Sequence, residues 1–334
     1  MDISATIALA GLFVGFVVGL TGMGGGALMT PMMILLFGVH PLAAVSSDLV
    51  ASMIMKPVGG AVHLRKGTVN RGLVKWLVIG SVPSAFCGVL LLRAVGNEEA
   101  TQAVVKTSLG VALLFAATSM TAKALLDLRK TQRSRSAGLV DIGPGDGTDV
   151  RVKPVPTLLV GILGGLVVGM TSVGSGSLMI VALLLLYPTL RASQLVGTDL
   201  VQAVPLVASA SLGHLLFGDF QLDLTTSLLI GALPGVYVGA RVSSSAPGGI
   251  VRRALVVVLL ASGLKLLDAG TGTLVAVLVA VAVIGPLLWV SIYRTAGEDG
   301  GARAGRHLFR AALTGRWGRR PADSETSDEA RARR

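Results

Sequence analysis

The sequence predicts an all-α polytopic membrane protein built from two inverted repeats. Each repeat opens with a glycine-broken helical hairpin followed by three spans, and one extra span follows at the C-terminal end. Three observations carry this prediction. The 334 residues are 52% hydrophobic and 14% charged, with a mean hydropathy of +0.75, so there is more apolar surface than a soluble core can hide and the bilayer is the solvent. Apolar runs long enough to cross a hydrocarbon core of about 30 Å recur almost end to end. Finally, the chain is written twice: GFVVGLTGMGGGALM at Gly15 to Met29 returns as GLVVGMTSVGSGSLM at Gly165 to Met179. One inserted residue later the echo continues, pairing Asp48 with Asp199, His63 with His214, Gly67 with Gly218, Gly80 with Gly231, Pro83 with Pro234 and Gly88 with Gly239. A duplication whose apolar run is interrupted at corresponding places in both halves is the pattern of inverted-repeat transporters.

Taken in order, Ile3 to Val39 is apolar but interrupted at Gly22 to Gly26 and again at Pro31, too long for one straight span and too broken to be one. No Lys or Arg precedes it, so the positive region of a cleavable signal is missing and the first segment is expected to stay. Ala43 to Val62 forms the next span and ends in the basic run His63, Arg65, Lys66, Arg71 and Lys75, with Trp76 at the border where an amphipathic ring is favoured. Leu73 to Leu92 and Ala103 to Leu126 complete the first repeat, residues 1–127. Residues 128–156, rich in Arg, Lys, Ser, Gly, Pro and Asp, read as a solvated cytoplasmic linker. The second repeat, 157–268, has a broken stretch from Thr157 to Tyr187 and spans near Ala192 to Leu216, Leu224 to Val242 and Val251 to Leu267. The extra span lies within 269–293. The tail, 294–334, holds ten arginines against six acids, which fits either a solvated charge run or a contact for anionic headgroups.

The net charge of +11 does not call for nucleic acid, because the basic residues gather in loops and tail, where they signal topology. If each broken stretch folds back at its glycines, every basic cluster falls on one side, and Glu98, Glu99, Asp219 and Asp223 lie opposite. The N-terminus is then outside, the C-terminus cytoplasmic, and the halves inverted.

Gly22, Gly24, Gly25 and Gly26, with Gly174 and Gly176, leave the backbone uncovered and tolerate positive φ, which suits a helix that unwinds within the membrane. N–H groups freed there, with the positive end of the half-helix that follows, can hold an anion. Close helix packing on small residues is the other reading. Recurrence beside Thr21 and Thr171 favours a site, with Thr21, Gly24, Gly25, Gly26, Thr171, Gly174, Ser175, Gly176 and Lys56 as its substrate-binding residues. GMGGG is a poor nucleotide loop, since no Lys-Ser/Thr pair follows.

Asp48 and Asp199 lie well inside apolar segments, where an ionised carboxylate costs about 2.5–3.5 kcal/mol unless it faces a polar cavity or a partner. They are either proton-coupling groups or carboxylates satisfied by nearby hydroxyls (Ser46, Ser47 and Ser52, or Thr198) or by capping a helix. Lys56, matched by Val207 in the second half, either draws the anion from one half only or snorkels to the cytoplasmic border. His63 and His214 sit at span ends, where interfacial or structural roles are expected. Cys87, alone in the chain, reads as a small packed side chain. No Cys/His/Asp cluster has metal-ligand spacing and no nucleophile stands with a base, so no metal, cofactor or enzymatic activity is expected.

The broken GLTGMGGG with VSSDL and HLRKGTVNRG, then GMTSVGSG with VGTDL and GHLLFGDFQL, resembles the TauE/SafE sulfite exporter family of membrane permeases, over roughly Gly11 to Leu267. The resemblance implies a duplicated helical permease for small anions: sulfite, sulfonates, other organosulfur compounds or short carboxylates. The expectation is a secondary transporter of the cytoplasmic membrane, with lipids and a small anion as its partners and the anion bound between the two breaks near mid-membrane. An anion channel and a non-transporting scaffold are the alternatives, and no oligomeric state is specified.

Overall fold

Every regular element among the described residues is a helix, as a chain crossing lipid requires when each backbone polar group must be satisfied internally. The computed structural model describes residues 4–21, 25–136, 151–176, 178–190, 192–242 and 248–281. In order they are α1 (Ala5–Thr21), α2 (Gly26–Phe37), α3 (Pro41–Arg65), α4 (Arg71–Ala94), α5 (Glu98–Ser136), α6 (Pro154–Thr171), α7 (Leu178–Leu186), α8 (Ala192–Phe217), α9 (Leu222–Val242), α10 (Gly248–Leu266) and α11 (Thr271–Val281). The chain divides into two units. One is Met1–Arg129 with Asp141–Val281; of the other, only the end of α5 is described.

Among the described residues five helices are long and apolar enough to cross a membrane: α4, α5 as far as Ala124, α6, α8 from Ser193, and α9 as far as Gly239. α3 has the length, 25 residues, but carries Asp48 and Lys56. Large apolar side chains stand exposed along these helices, among them Phe13 on α1, Leu36 on α2, Leu163 on α6 and Leu216 on α8. In water that surface would drive aggregation; in lipid it needs no partner. The multi-pass membrane assignment follows from this belt together with the helix lengths.

Local chemistry sets several ends. Asn70 caps α4 by accepting the Leu73 N–H at 3.1 Å. Pro154 opens α6, where its missing N–H costs nothing. Gly38 closes α2 in the left-handed region at φ 65°. α5 runs on to Ser136 and α6 begins at Pro154, so regular structure reaches into both ends of the expected linker. α11 is described to Val281, and the rest of the extra span and the whole tail lie outside the described residues.

Two glycine seams hold the bundle. A Cβ at Gly231, Gly235 or Gly239 would lie 1.7, 2.3 or 2.1 Å from the carbonyl oxygen of Ala8, Leu12 or Phe16. α1 and α9 therefore run parallel, backbone against backbone. The α4–α6 seam is built the same way, with Gly80 against Leu158, Gly88 against Leu166 and Gly169 against Ala85. Of the two roles open to the chain's glycines, these positions take the packing one, which in lipid supplies the attraction that burial supplies in water. α3 and α8 instead pack antiparallel: Ser46 lies beside His214, Gly60 beside Val204 and Gly197 beside His63.

The second broken stretch returns to the face it left. Tyr187, just past α7, accepts the Lys153 N–H at 2.8 Å and sits 2.6 Å from Thr157 Oγ1 at the start of α6. Met179, on the return leg, packs against Gly164 midway along α6. In the first half α1 and α2 share one apolar cluster, with Val14, Val18, Met29 and Met33 buried in it.

Candidate functional site

The site is built where the two breaks meet. α1 ends at Thr21 and α2 begins at Gly26; α6 ends at Thr171 and α7 begins at Leu178. Ser172 stands in the left-handed region at φ 61° and closes α6 by donating its N–H to the Val168 carbonyl at 2.8 Å. Gly174 at φ 130° and Gly176 at φ 104° follow, conformations an L side chain rarely adopts, so glycine is required at both. Thr171 turns its hydroxyl back on the backbone, donating to Val167 O at 2.6 Å and accepting from Val173 N at 3.2 Å. Across from it Gly26 is pressed against Ser172; a Cβ there would sit 2.1 Å from the Ser172 carbonyl oxygen. The two breaks touch.

Asp48 of α3 joins them. Its Oδ2 accepts from Thr30 Oγ1 on α2 at 3.0 Å and from Ser172 Oγ at 2.5 Å, while its Oδ1 is buried without a partner among the described residues. One carboxylate thus ties a full helix to the short helix after the first break and to the backbone of the second.

Lys56 lies two turns further along α3. It is 8% exposed, the one buried Lys or Arg among the described residues, and its Nζ donates to Ser175 Oγ at 2.5 Å. The ammonium interacts electrostatically with both Asp48 and Asp199. It points into the protein at the second break, not toward a border.

Asp199, on α8, is equally buried but differently held. Its Oδ1 accepts from Gln202 Nε2 at 3.1 Å, and Gln202 Oε1 in turn accepts from Ser81 Oγ on α4 at 3.4 Å. The breaks, Asp48 and Lys56 are therefore brought together. Asp199 joins them through the charge of Lys56, with no hydrogen bond between the two. Thr21 closes α1, but its side chain, like Gly24, lies outside the described residues. Thr30, Ser172, Gln202 and Ser81 escaped the sequence reading. Thr30 has no echo in the second half, where Ile180 stands, and Ser172 aligns with Gly22, so the duplication gave no signal for either.

Chemically this is a buried, polar core with one cation and two carboxylates, beside the irregular backbone of residues 172–176. A buried ammonium and the positive ends of short helices are groups that favour negative charge.

Comparison with known proteins places the chain. The family model described as "Sulfite exporter TauE/SafE" matches residues 7–266, both halves and their connecting segment. The chain is 38% identical over 265 residues to the "Probable membrane transporter protein YjnA" of Bacillus subtilis (strain 168), covering 79% of this chain and 100% of that protein. It is 22% identical over 261 residues to YdhB of the same organism, also described as a probable membrane transporter, covering 78% and 99%. No solved structure matches.

Proposed function

This chain belongs to the sulfite exporter TauE/SafE family, and from that premise we propose that it is a proton-coupled secondary transporter for a small sulfur oxyanion, a sulfite or a sulfonate. The observation that carries the reading is Asp48, which bridges α2 and the second break while one carboxylate oxygen has no partner among the described residues.

Charge counting supports coupling. With Asp48 and Asp199 ionised and Lys56 protonated, the core carries a net charge of −1, and an entering anion raises it to −2 in a medium where unbalanced charge is costly. One proton taken up with each singly charged anion restores the starting value. Lys56 and Ser175, with backbone of Gly25, Gly26, Gly174 and Gly176, form the anion site; Asp48 and Asp199 are the coupling groups; Thr171 frames it, and the expected roles of Thr21 and Gly24 fall outside the described residues.

The proposed halves are inverted. Supporting this, the equivalent helices α3 and α8 pack antiparallel, while the α1–α9 and α4–α6 seams exchange equivalents across the repeats. That relation implies a two-fold axis in the membrane plane, about which the halves rock. The return of α7 to the start of α6 supports an even number of crossings for the second broken stretch; with the first stretch folded likewise, the N-terminus is outside and the C-terminus cytoplasmic.

The test is flux into proteoliposomes loaded with sulfite, sulfoacetate or simple carboxylates, with and without a pH gradient. The carrier reading expects saturable flux that follows the gradient. Non-saturating conductance would mean a channel, and absence of flux for every anion a scaffold; either result removes the proposal.

A further inference from the structure

A group of bases gathers at one end of the α4–α6 seam. The two helices run parallel, so both begin at that end, and there a Cβ at Gly72 would lie 3.0 Å from Val152 Cγ2. Gly72 stands between Arg71 and Lys75, and Val152 between Arg151 and Lys153. All four of these basic residues are exposed, and none has an ion-pair partner among the described residues. Acids of the described helices lie elsewhere. Asp48 and Asp199 are buried in the core, Glu98 and Glu99 follow the far end of α4, and Asp219 and Asp223 follow the far end of α8, whose start is at this end.

The backbone under the bases is fixed without their help. Asn70 N–H donates to Thr198 Oγ1 on α8 at 3.1 Å, Asn70 Oδ1 caps α4, and Lys153 N–H donates to the Tyr187 hydroxyl oxygen at 2.8 Å. The four side chains are therefore free to serve something outside the fold.

Depth and neighbours say what that is. α4 has 24 residues, about 36 Å at 1.5 Å per residue, against a hydrocarbon core of about 30 Å. Its first turn thus stands at headgroup level, and half-buried Trp76, beside Lys75, is at the depth where amphipathic rings settle. Below the bases the surface turns apolar: Ile79 is exposed one turn beyond Lys75, and Val155, Leu159 and Leu163 are exposed at four-residue steps along α6. A basic cap above an apolar wall fits a molecule with an anionic head and hydrocarbon chains. A soluble phosphate would use the cap and leave the wall unmatched.

We propose that the start of α4 and the approach to α6 form a binding site for one anionic phospholipid, its phosphate held among Arg71, Lys75, Arg151 and Lys153 and its chains laid along Ile79 and the Val155, Leu159 and Leu163 stripe. The bases come from both sides of a seam that joins the two halves, so the lipid clasps that seam. The site is independent of the proton-coupled reading and stands or falls apart from it.

Trp76 reports on the site in the full chain once Trp289→Phe and Trp317→Phe have removed the other indoles. The protein is placed in phosphatidylcholine bilayers containing brominated phosphatidylglycerol or brominated phosphatidylcholine, whose chains quench an adjacent indole, and the dependence on lipid fraction gives their relative affinities. Phosphatidylglycerol is expected to bind at least about tenfold more tightly at low salt, each base near the surface adding roughly fivefold, and the preference should shrink as salt rises. Changing Arg71, Lys75, Arg151 and Lys153 together to Gln should bring the two lipids within about twofold of each other, with quenching by brominated phosphatidylcholine unchanged as the sign that the variant is still inserted. Arg71→Lys with Arg151→Lys, which keeps the charge, should keep the preference. Gln at Arg303, Arg306, Arg310 and Arg316 of the tail should alter it by less than about twofold. Equal affinities in the parent protein, a preference that survives the four Gln changes, or a loss that the tail variant reproduces overturns the site. Loss of the preference in millimolar glycerol phosphate would make it a site for soluble phosphate instead. A preference that emerges only with Asp141→Asn, Asp146→Asn and Asp149→Asn would assign the bases to acids of the chain's own linker.

Discussion

Replacing Asp48 by asparagine and by alanine separates the structural part of this residue from its charge. In the structure Oδ2 receives two hydroxyls, from Thr30 and Ser172, and Oδ1 receives none from the described residues. Asparagine can keep both bonds through its amide oxygen and turn its NH₂ into the place of Oδ1, so the loss is the charge-assisted part of two bonds, about 1 kcal/mol in all. Alanine strands both buried hydroxyls. At about 1–3 kcal/mol for each orphaned group, tempered by the ~0.6 kcal/mol that interhelical bonds average in lipid, the cost is about 2–3 kcal/mol. Thermal unfolding of purified protein in detergent should therefore show Asp48→Ala about 4–8 °C below wild type and Asp48→Asn within about 3 °C. Proteoliposome flux should invert the ranking of harm: the stable asparagine variant loses its response to a pH gradient as completely as alanine does. If Asp48→Asn is stable and still driven by the gradient, the carboxylate is a fastener and the coupling argument fails. If alanine is no less stable than asparagine, the two hydrogen bonds carry nothing.

Four further outcomes follow from the same geometry. Lys56→Gln removes the one described buried cation and should raise the sulfite concentration for half-maximal flux about tenfold or more, with a smaller change in maximal rate; an unchanged KM removes Lys56 from the site. Gly26→Ala would drive a methyl into the Ser172 carbonyl; with backbone on the far side, overpacking should cost about 1–3 kcal/mol and flux should fall beyond what the loss of folded protein explains. Gly231→Ala, whose Cβ would lie 1.7 Å from Ala8 O, should reduce the yield of membrane-inserted, detergent-stable protein severely, whereas Gly67→Ala, with nothing within 4 Å, should cost only the strain of its positive φ, about 1 kcal/mol; comparable yields would contradict the seam. Asp199→Asn, held by Gln202 on its own helix, should lower the melting temperature less than Asp48→Ala while also blunting the gradient response, and a wild-type response would confine coupling to Asp48.

The sequence made the membrane class, the helix order and the two breaks legible, because apolar length and repetition are local signals. Span positions were close for the same reason: Leu73 to Leu92 became α4 and Leu224 to Val242 became α9. Partners were not legible. The hydroxyls offered for Asp48 were its sequence neighbours Ser46, Ser47 and Ser52, yet those that bind it come from α2 and from the second break, 18 and 124 residues away. Helix periodicity shows which face a residue shares; it does not show which other segment covers that face. The glycines divide in the same way. Gly174 and Gly176 bend the chain, whereas Gly80, Gly88, Gly231 and Gly239, also paired by the duplication, let helices touch. Only φ and the atoms opposite each one tell these uses apart.

The two seams also bear on descent. Each takes one helix from either half: α1 needs α9, and α4 needs α6. Half of this gene, expressed alone, would leave every glycine stripe facing lipid with no groove to fit. A product of half the length would complete both stripes only by meeting a second copy of itself, with the equivalent helices α3 and α8 packed antiparallel as they are here.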